Sequence, residues 1–266
     1  MKAVKNNRWL AAVTALVGLV LMGVMACSTV PYPDAEDFDD EAEFLYRHGE
    51  VALERGAYLE ATDRFDTVRN EHPYSAWAAL SNLRLADVYF EQQQYASAVQ
   101  QYRGFVDLYP RHEKVEYARW RVALSFYEQM PSDFFIMPPP HERDLSTTRD
   151  AVRELQIFLR EYQDSEYAEP AEEKWREGMY RLARHEYYVA EHHMDNENPV
   201  AAIERLQYLL ENFSGLGLNA ESMYMMGRAY VEIGEYDQAV AVWSDLVENH
   251  GGHPRAQDAQ EHLAEL

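Results

Sequence analysis

A spacing of 37 residues constrains this chain more than any other feature. Ala61 and Ala98 are 37 apart, as are Ala202 and Ala239. Each sits inside a run whose apolar residues recur every three or four positions, the period of a helix with one buried face. In the first run Leu45, His48, Gly49 and Ala52 share a face, and Gly56 breaks it. Tyr58, Ala61, Phe65 and Val68 then mark a second helix before Pro73. The pattern returns with Leu85, Ala86 and Tyr89 followed by Tyr95, Ala98, Tyr102 and Phe105, and with Val122, Ala123 and Phe126 followed by Ala151, Leu155 and Phe158. It closes with Ala202, Leu206 and Leu209, then Met226, Gly227 and Tyr230, then Tyr236, Ala239, Trp243 and Leu246. A helix pair of this size buries its apolar face only when a like pair stacks on it, so the period dictates an array. Small residues at Gly49, Ala86, Ala123 and Gly227 let paired helices approach, and large residues one turn away fill the space between units.

The expected fold is all-α, a tetratricopeptide-repeat right-handed superhelix of five helix-turn-helix units over 41–252. The units fall at about 41–75, 76–112, 113–164 with a loop at 130–147, 165–216 and 217–252, followed by a capping helix over 253–266. The run from Pro170 to about His193 lacks a breaker and predicts a long helix of roughly 35 Å at 1.5 Å per residue. Phe213-Ser214-Gly215 leaves the joint between the fourth and fifth units open. No run alternates as a strand does. Hydrophobic residues make up 47% of the chain, enough for a continuous core.

The first 26 residues read as a signal peptide: Lys2, Lys5 and Arg8, an apolar run from Trp9 to Val24, then Val24-Met25-Ala26-Cys27, a lipobox-like end that marks Cys27 for lipidation. An uncleaved transmembrane helix is the other reading of that run. Cys27 is the only cysteine, so no internal disulfide exists. Residues 27–40, with two prolines and five acids from Asp34 to Asp40, read as a tether reaching roughly 40 Å. The whole chain carries −22, and the first 26 residues hold three cations and no acid, so the body is at −25. Such a surface disfavours nucleic acid and unaided adsorption to anionic lipid, so membrane contact needs the anchor. Ser28 stands where an aspartate would favour inner-membrane retention, which points to the outer membrane.

The order of features resembles the BamD (ComL/YfiO) family of outer-membrane β-barrel assembly lipoproteins. The likeness is carried by Asn70-Glu71-His72-Pro73-Tyr74-Ser75, by Leu108-Tyr109-Pro110-Arg111-His112 with Glu116-Tyr117-Ala118, by Arg143-Asp144 and by Ser165-Glu166-Tyr167-Ala168. The longest element runs from Leu182 to His193 and on without a gap to Ala201 and Arg205. His192-His193, the proline-rich loop and Phe213-Ser214-Gly215 depart from the family pattern. The resemblance implies a non-catalytic lipoprotein on the periplasmic face of the outer membrane. Its C-terminal units would dock on the POTRA domains of a BamA-like barrel subunit, its N-terminal units would receive unfolded outer-membrane proteins, and other Bam lipoproteins would accompany it. It also implies that Arg205 pairs with an acidic residue of the barrel subunit. A solvated charge paired with Glu204 or Glu211 is the alternative for Arg205.

In a repeat of this type one stripe of each first helix lines the inner groove. That stripe holds Tyr46, Glu50 and Leu53, then Leu83, Asp87 and Phe90, then Trp120, Leu124 and Tyr127. Tyr46, Phe90, Trp120 and Tyr127 are the candidates for gripping a peptide with an aromatic end; burial as core is the competing reading, with Phe90 and Tyr127 the better groove residues. His185, His192 and His193 do not present the convergent ligands that zinc requires. No nucleophile elbow, phosphate loop or metalloprotease motif occurs, the repeats leave no length for a catalytic domain, and no cofactor is expected. Pro138-Pro139-Pro140 with Arg143-Asp144 reads equally as a partner-binding element or a bridge between helices. The alternative function is a repeat scaffold for another cell-envelope complex, in division, peptidoglycan synthesis or secretion.

Overall fold

In the computed structural model the described residues are 31–34, 40–131 and 144–266. They form eleven helices and no strand. Cys27, the whole signal segment, the triple proline and Arg143 lie outside the described residues. Among those described, no helix is long and apolar enough to cross a membrane. The chain divides into two compact units, residues 1–91 and 92–266. The division falls inside the expected 76–112 repeat.

The first unit holds α1 (Glu41–Glu54), α2 (Tyr58–Glu71) and α3 (Ala76–Glu91). Asp40 caps α1, its carboxylate accepting from the Ala42 N–H at 3.0 Å. The core joins Ala42, Leu45, Tyr46 and Ala52 of α1 to Ala61, Phe65 and Val68 of α2 and to Leu85 and Val88 of α3. Gly49 is what lets α1 meet α2, since a Cβ there would stand 2.7 Å from the Phe65 ring. Part of the expected tether belongs to this unit. Tyr32 packs on the same cluster, because its ring finds more partners on α1 and α2 than in water.

The second unit runs through α4 (Tyr95–Leu108), α5 (Val115–Glu128), α6 (Ser146–Glu161), α7 (Ala168–Asp195), α8 (Pro199–Asn212), α9 (Asn219–Glu232), α10 (Tyr236–Asn249) and α11 (Pro254–Glu265). Each helix packs on the next. Helix α7 has 28 residues, about 42 Å at 1.5 Å per residue. It starts two residues before Pro170, which the free N–H groups of a first turn allow. Its inner stripe, Ala183, Tyr187 and Ala190, packs with Ala202, Leu206 and Leu209 of α8 and with Met226 and Ala229 of α9. Gly178 repeats the small-residue device against Val152 of α6, and Gly227 does so against Trp243 of α10.

The joints are as regular as the helices. At Gly56, Glu197 and Gly234 the backbone turns left-handed, with φ of 73°, 55° and 80°. In each case the next N–H reaches back five residues, from Ala57 to the Ala52 carbonyl, Asn198 to His193 and Glu235 to Tyr230, at 2.8 to 2.9 Å. This pair of features is the Schellman ending of a helix. Gln93 is left-handed too, at φ 60°, and lies 37 residues after Gly56, as Gly234 does after Glu197. At five further joints an aromatic ring stands just past the helix: His72, Tyr109, Tyr162, Phe213 and His250, each N–H bonded to the carbonyl four residues back. Phe213 occupies the place that Tyr109 and Tyr162 hold, so α8 ends in the same way as α4 and α6.

Trp243 is 2% exposed and donates its indole N–H to the Tyr224 carbonyl at 3.1 Å. A Cβ on Gly227 would lie 2.2 Å from that nitrogen. Gly227→Ala is therefore expected to cost roughly 2–3 kcal/mol through overpacking. Gly104→Ala, inside α4 with nothing within 4 Å of its Cβ position, is expected to gain about 0.5–1 kcal/mol. Urea midpoints followed by tryptophan fluorescence would test the pair; equal midpoints would refute the close-approach account.

Candidate functional site

Arg84 of α3 is the hub of the first unit's stripe. Its Nη2 donates to Glu50 Oε1 at 3.0 Å, its Nη1 to Asp87 Oδ2 at 2.9 Å and its Nε to the Tyr46 hydroxyl at 3.2 Å. Tyr46 in turn donates to Glu50 at 2.9 Å. Arg47 reaches the second oxygen of Glu50 at 3.0 Å and lies 5.0 Å from the centre of the Trp77 ring. Arg47 also lies 3.7 Å from Glu43, so two guanidinium groups face three carboxylates. Asp87 is 4% exposed, and a buried charge of this kind is tolerable only because its partner is bonded to it.

Tyr46 and Trp120, expected in the groove, are buried. Tyr46 packs between Phe65 and Trp77, ring centres 5.7 and 5.0 Å away. Trp120 packs against Phe158 at 5.8 Å and stacks on Tyr167 at 6.0 Å. Leu83 is buried as well. Rings of this size on a first helix are covered by the helices packed beside it, which leaves them as the floor under any bound segment. Phe90 and Tyr127 are only partly buried. They are the stripe aromatics that offer surface.

In the second unit Tyr127 donates to Glu177 of α7, and the ammonium of Lys174 lies 4.1 Å from its ring centre. Burial first, and then the bonded Glu177 carboxylate, push the Tyr127 phenol well above its ordinary range. Arg181 holds the other oxygen of Glu177 at 2.7 Å and also donates to the Pro131 carbonyl. Beside this group a cleft of about 580 Å³ is lined by Glu169, Glu172, Glu173, Arg176, Glu177 and Tyr180 of α7 with Gly215 and Leu216. Four glutamates against one arginine make it acidic, with Tyr180 as its aromatic wall.

Arg205 lies on α8, with half of its side chain exposed. Its partner is Glu186 of α7, at 3.3 Å, rather than the Glu204 or Glu211 that proximity in sequence suggested. A guanidinium with one carboxylate contact and half its surface in water keeps donors for a second carboxylate. A further cleft of about 440 Å³ opens near the end of α7, between Tyr188, Glu191, His192, Met194 and Asp195 and the α9 residues Met225, Arg228 and Glu232. Burial raises the Glu191 carboxyl there. His192 meets Asn196 and tilts against His193 at 6.4 Å. Among the described residues no three metal-ligating side chains converge. Asp144 is used locally, accepting from the backbone N–H and the hydroxyl of Ser146 at 2.9 and 2.8 Å at the start of α6.

Sequence reasoning missed Arg84, Trp77, Lys174, Glu177 and Arg181. The spacings Arg84 to Asp87 and Glu177 to Arg181 mark intrahelical pairs and were legible. The bonds from Arg84 to Glu50 and from Tyr127 to Glu177 join different helices, and no spacing announces them.

A family model named YfiO and described as an outer membrane lipoprotein matches residues 38–246. The chain is 28% identical over 229 residues to the outer membrane protein assembly factor BamD of Caulobacter vibrioides, covering 86% of this chain and 72% of that one. It is 25% identical to the proteins of the same name from Rickettsia prowazekii, over 88% of this chain and 90% of that one, and from Vibrio cholerae, over 84% and 92%.

Burial, more than any charge, pushes the Tyr46 phenol up to about 12 from its ordinary 10.0. The unfolded chain releases that proton near pH 10 and the folded chain near pH 12. The stability that Tyr46 holds is thus complete below about pH 10 and is lost as pH climbs toward 12. Tyr46→Phe is expected to cost about 1–2 kcal/mol at pH 7, through its lost bonds to Glu50 and Arg84, and to flatten the alkaline slope by about one proton. Urea titrations at several pH values between 8 and 11.5 would read both effects, and an unchanged slope would contradict the assignment.

Proposed function

Since the chain belongs to the YfiO family of outer-membrane lipoproteins, we propose that it is a non-catalytic scaffold for assembling β-barrel proteins into the outer membrane. In this reading the lipid on Cys27 attaches it to the periplasmic face. Its C-terminal repeats dock on the POTRA domains of a BamA-like barrel subunit, and its N-terminal repeats receive unfolded outer-membrane proteins through partly exposed aromatic rings, Phe90 in the first unit and, separately, Tyr127 in the second. Other assembly lipoproteins join the same complex.

One observation carries the docking half of this reading: Arg205 is half exposed and holds a single carboxylate. A partner's acid can complete its fork, and the bond to Glu186 aims the guanidinium before the partner arrives, which lowers the cost of binding. The names of the curated relatives support the assembly role. The receiving half draws on the partly exposed aromatics, whose surface suits a segment ending in an aromatic residue.

Affinity isolation from detergent-solubilised membranes tests the reading directly. A β-barrel protein with periplasmic repeats should copurify, and Arg205→Glu should reduce its recovery tenfold or more. Glu186→Gln, which leaves the arginine in place, should retain most of it. Equal recovery with Arg205→Glu would remove Arg205 from the interface, and recovery of envelope synthases instead would favour a different scaffold. Cys27→Ala should release the protein from the membrane fraction with its helical content intact.

A further inference from the structure

Tyr32 lies ahead of every described helix, in the stretch expected to be a free tether, yet it is held on several sides. Its ring stacks on His48 of α1, with centres 4.2 Å apart and planes 14° from parallel. The guanidinium of Arg55 lies over the same ring at 3.9 Å. Two groups this close to one ring centre must occupy opposite faces, so Tyr32 is sandwiched. Its hydroxyl donates to Glu60 Oε2 of α2 at 2.7 Å. The other oxygen of Glu60 stands 3.8 Å from His48 Nδ1, and Phe44 meets His48 edge-on at 5.8 Å. The slot is thus built by the face of α1, by the residue just past its end and by the first turn of α2.

The local sequence prepares the residue for this slot. Pro31 has a fixed φ, and Tyr32 is restricted to extended backbone because Pro33 follows it. A Pro-Tyr-Pro segment therefore loses little freedom when its ring docks. Covalent geometry gives the consequence. Tyr32 is five residues from Cys27, a span of at most about 18 Å at 3.3 to 3.6 Å per residue, whereas an undocked segment would extend to Glu41, fourteen residues on, over roughly 46 to 50 Å.

We propose that Tyr32 is a positioning residue, a clip that shortens the leash between the anchored Cys27 and the first helix pair to at most about 18 Å. The proposal rests on the lipid-anchor reading given above. It explains how a body at −25 is kept near a charged membrane surface that would repel it on a longer tether. Short reach also limits the orientations in which the first unit can present its stripe.

Docking and reach are measured separately. Docking is read on the unaltered lipoprotein by tyrosine nitration, resolved by peptide mass spectrometry, with the fully exposed Tyr74 as internal reference. Tyr32 should react roughly tenfold more slowly than Tyr74 and lose that protection in Arg55→Ala. Reach is read by energy transfer from a fluorophore on Tyr74→Cys, which labels uniquely because Cys27 is acylated, to acceptor lipids in reconstituted vesicles. Adding Tyr32→Ala should lower the transfer while leaving helical content unchanged. Tyr32 nitrating as fast as Tyr74, or transfer unaffected by Tyr32→Ala, would overturn the clip. Protection of Tyr32 in a chain that gives no transfer at all would overturn the lipid anchor instead and leave the docked segment standing.

Discussion

The closeness of paired helices is what everything else here depends on. Gly49 against Phe65, Gly178 against Val152 and Gly227 against Trp243 each leave no room for a single methyl group. At those crossings the missing side chain on one helix is matched by a large one on its neighbour, so each pair behaves as a fitted part. Where alanine takes the glycine's place, as at Ala86 and Ala123, the residue is still fully or almost fully buried. Helix-pair spacing then sets which side chains reach the stripe surface and which become its floor. Trp120 is floor for that reason, and Tyr127, seven residues on and two turns along the same helix, reaches the surface.

Charge organises what packing leaves open. The acidic body gains little from its many exposed pairs, such as Arg176 with Glu172 or Arg255 with Asp258, since pairs of this kind are worth about 0–1 kcal/mol each. The partly buried groups differ. Arg84 ties α3 to α1 through Glu50 and Tyr46, and Arg181 ties α7 to the end of the α5 segment at Pro131. Each such arginine joins helices while neutralising acid, and Arg205 does the same between α8 and α7 with surface to spare. The cations of an acidic protein are few, and these sit where two helices need joining.

The helical character of the chain and its joints were legible because they follow from local rules: a period of three or four residues, a breaker at Gly56 or Gly234, a small residue once per pair. Arg205 was singled out on an ungapped stretch of family likeness, but its neighbour Glu186 was not, because Glu186 comes to it across a helix pair. The stripe was half legible. Spacing identifies a face, but whether Tyr46 is surface or floor depends on Phe65 and Trp77, which arrive from other helices. Tyr32 was read as linker because acids and prolines surround it; the signal available was the Pro-Tyr-Pro triplet, which stiffens a segment without saying what it touches.

The left-handed joints carry one more consequence. Gly56 and Gln93 stand 37 residues apart, and the next step of that ruler falls on Met130, which is buried, reaches toward Gly178 and is not left-handed. The reversal that returns the chain at the other joints is not made there. The long connection of the third repeat departs from that joint, and α6 resumes the small-residue fit through Val152. Elsewhere a non-glycine such as Gln93 or Glu197 accepts the strained backbone to keep the beat. Length beyond the 37-residue step is thus held in two places, in the connection after Met130 and within α7, whose 28 residues are twice the 14 of α8, α9 and α10.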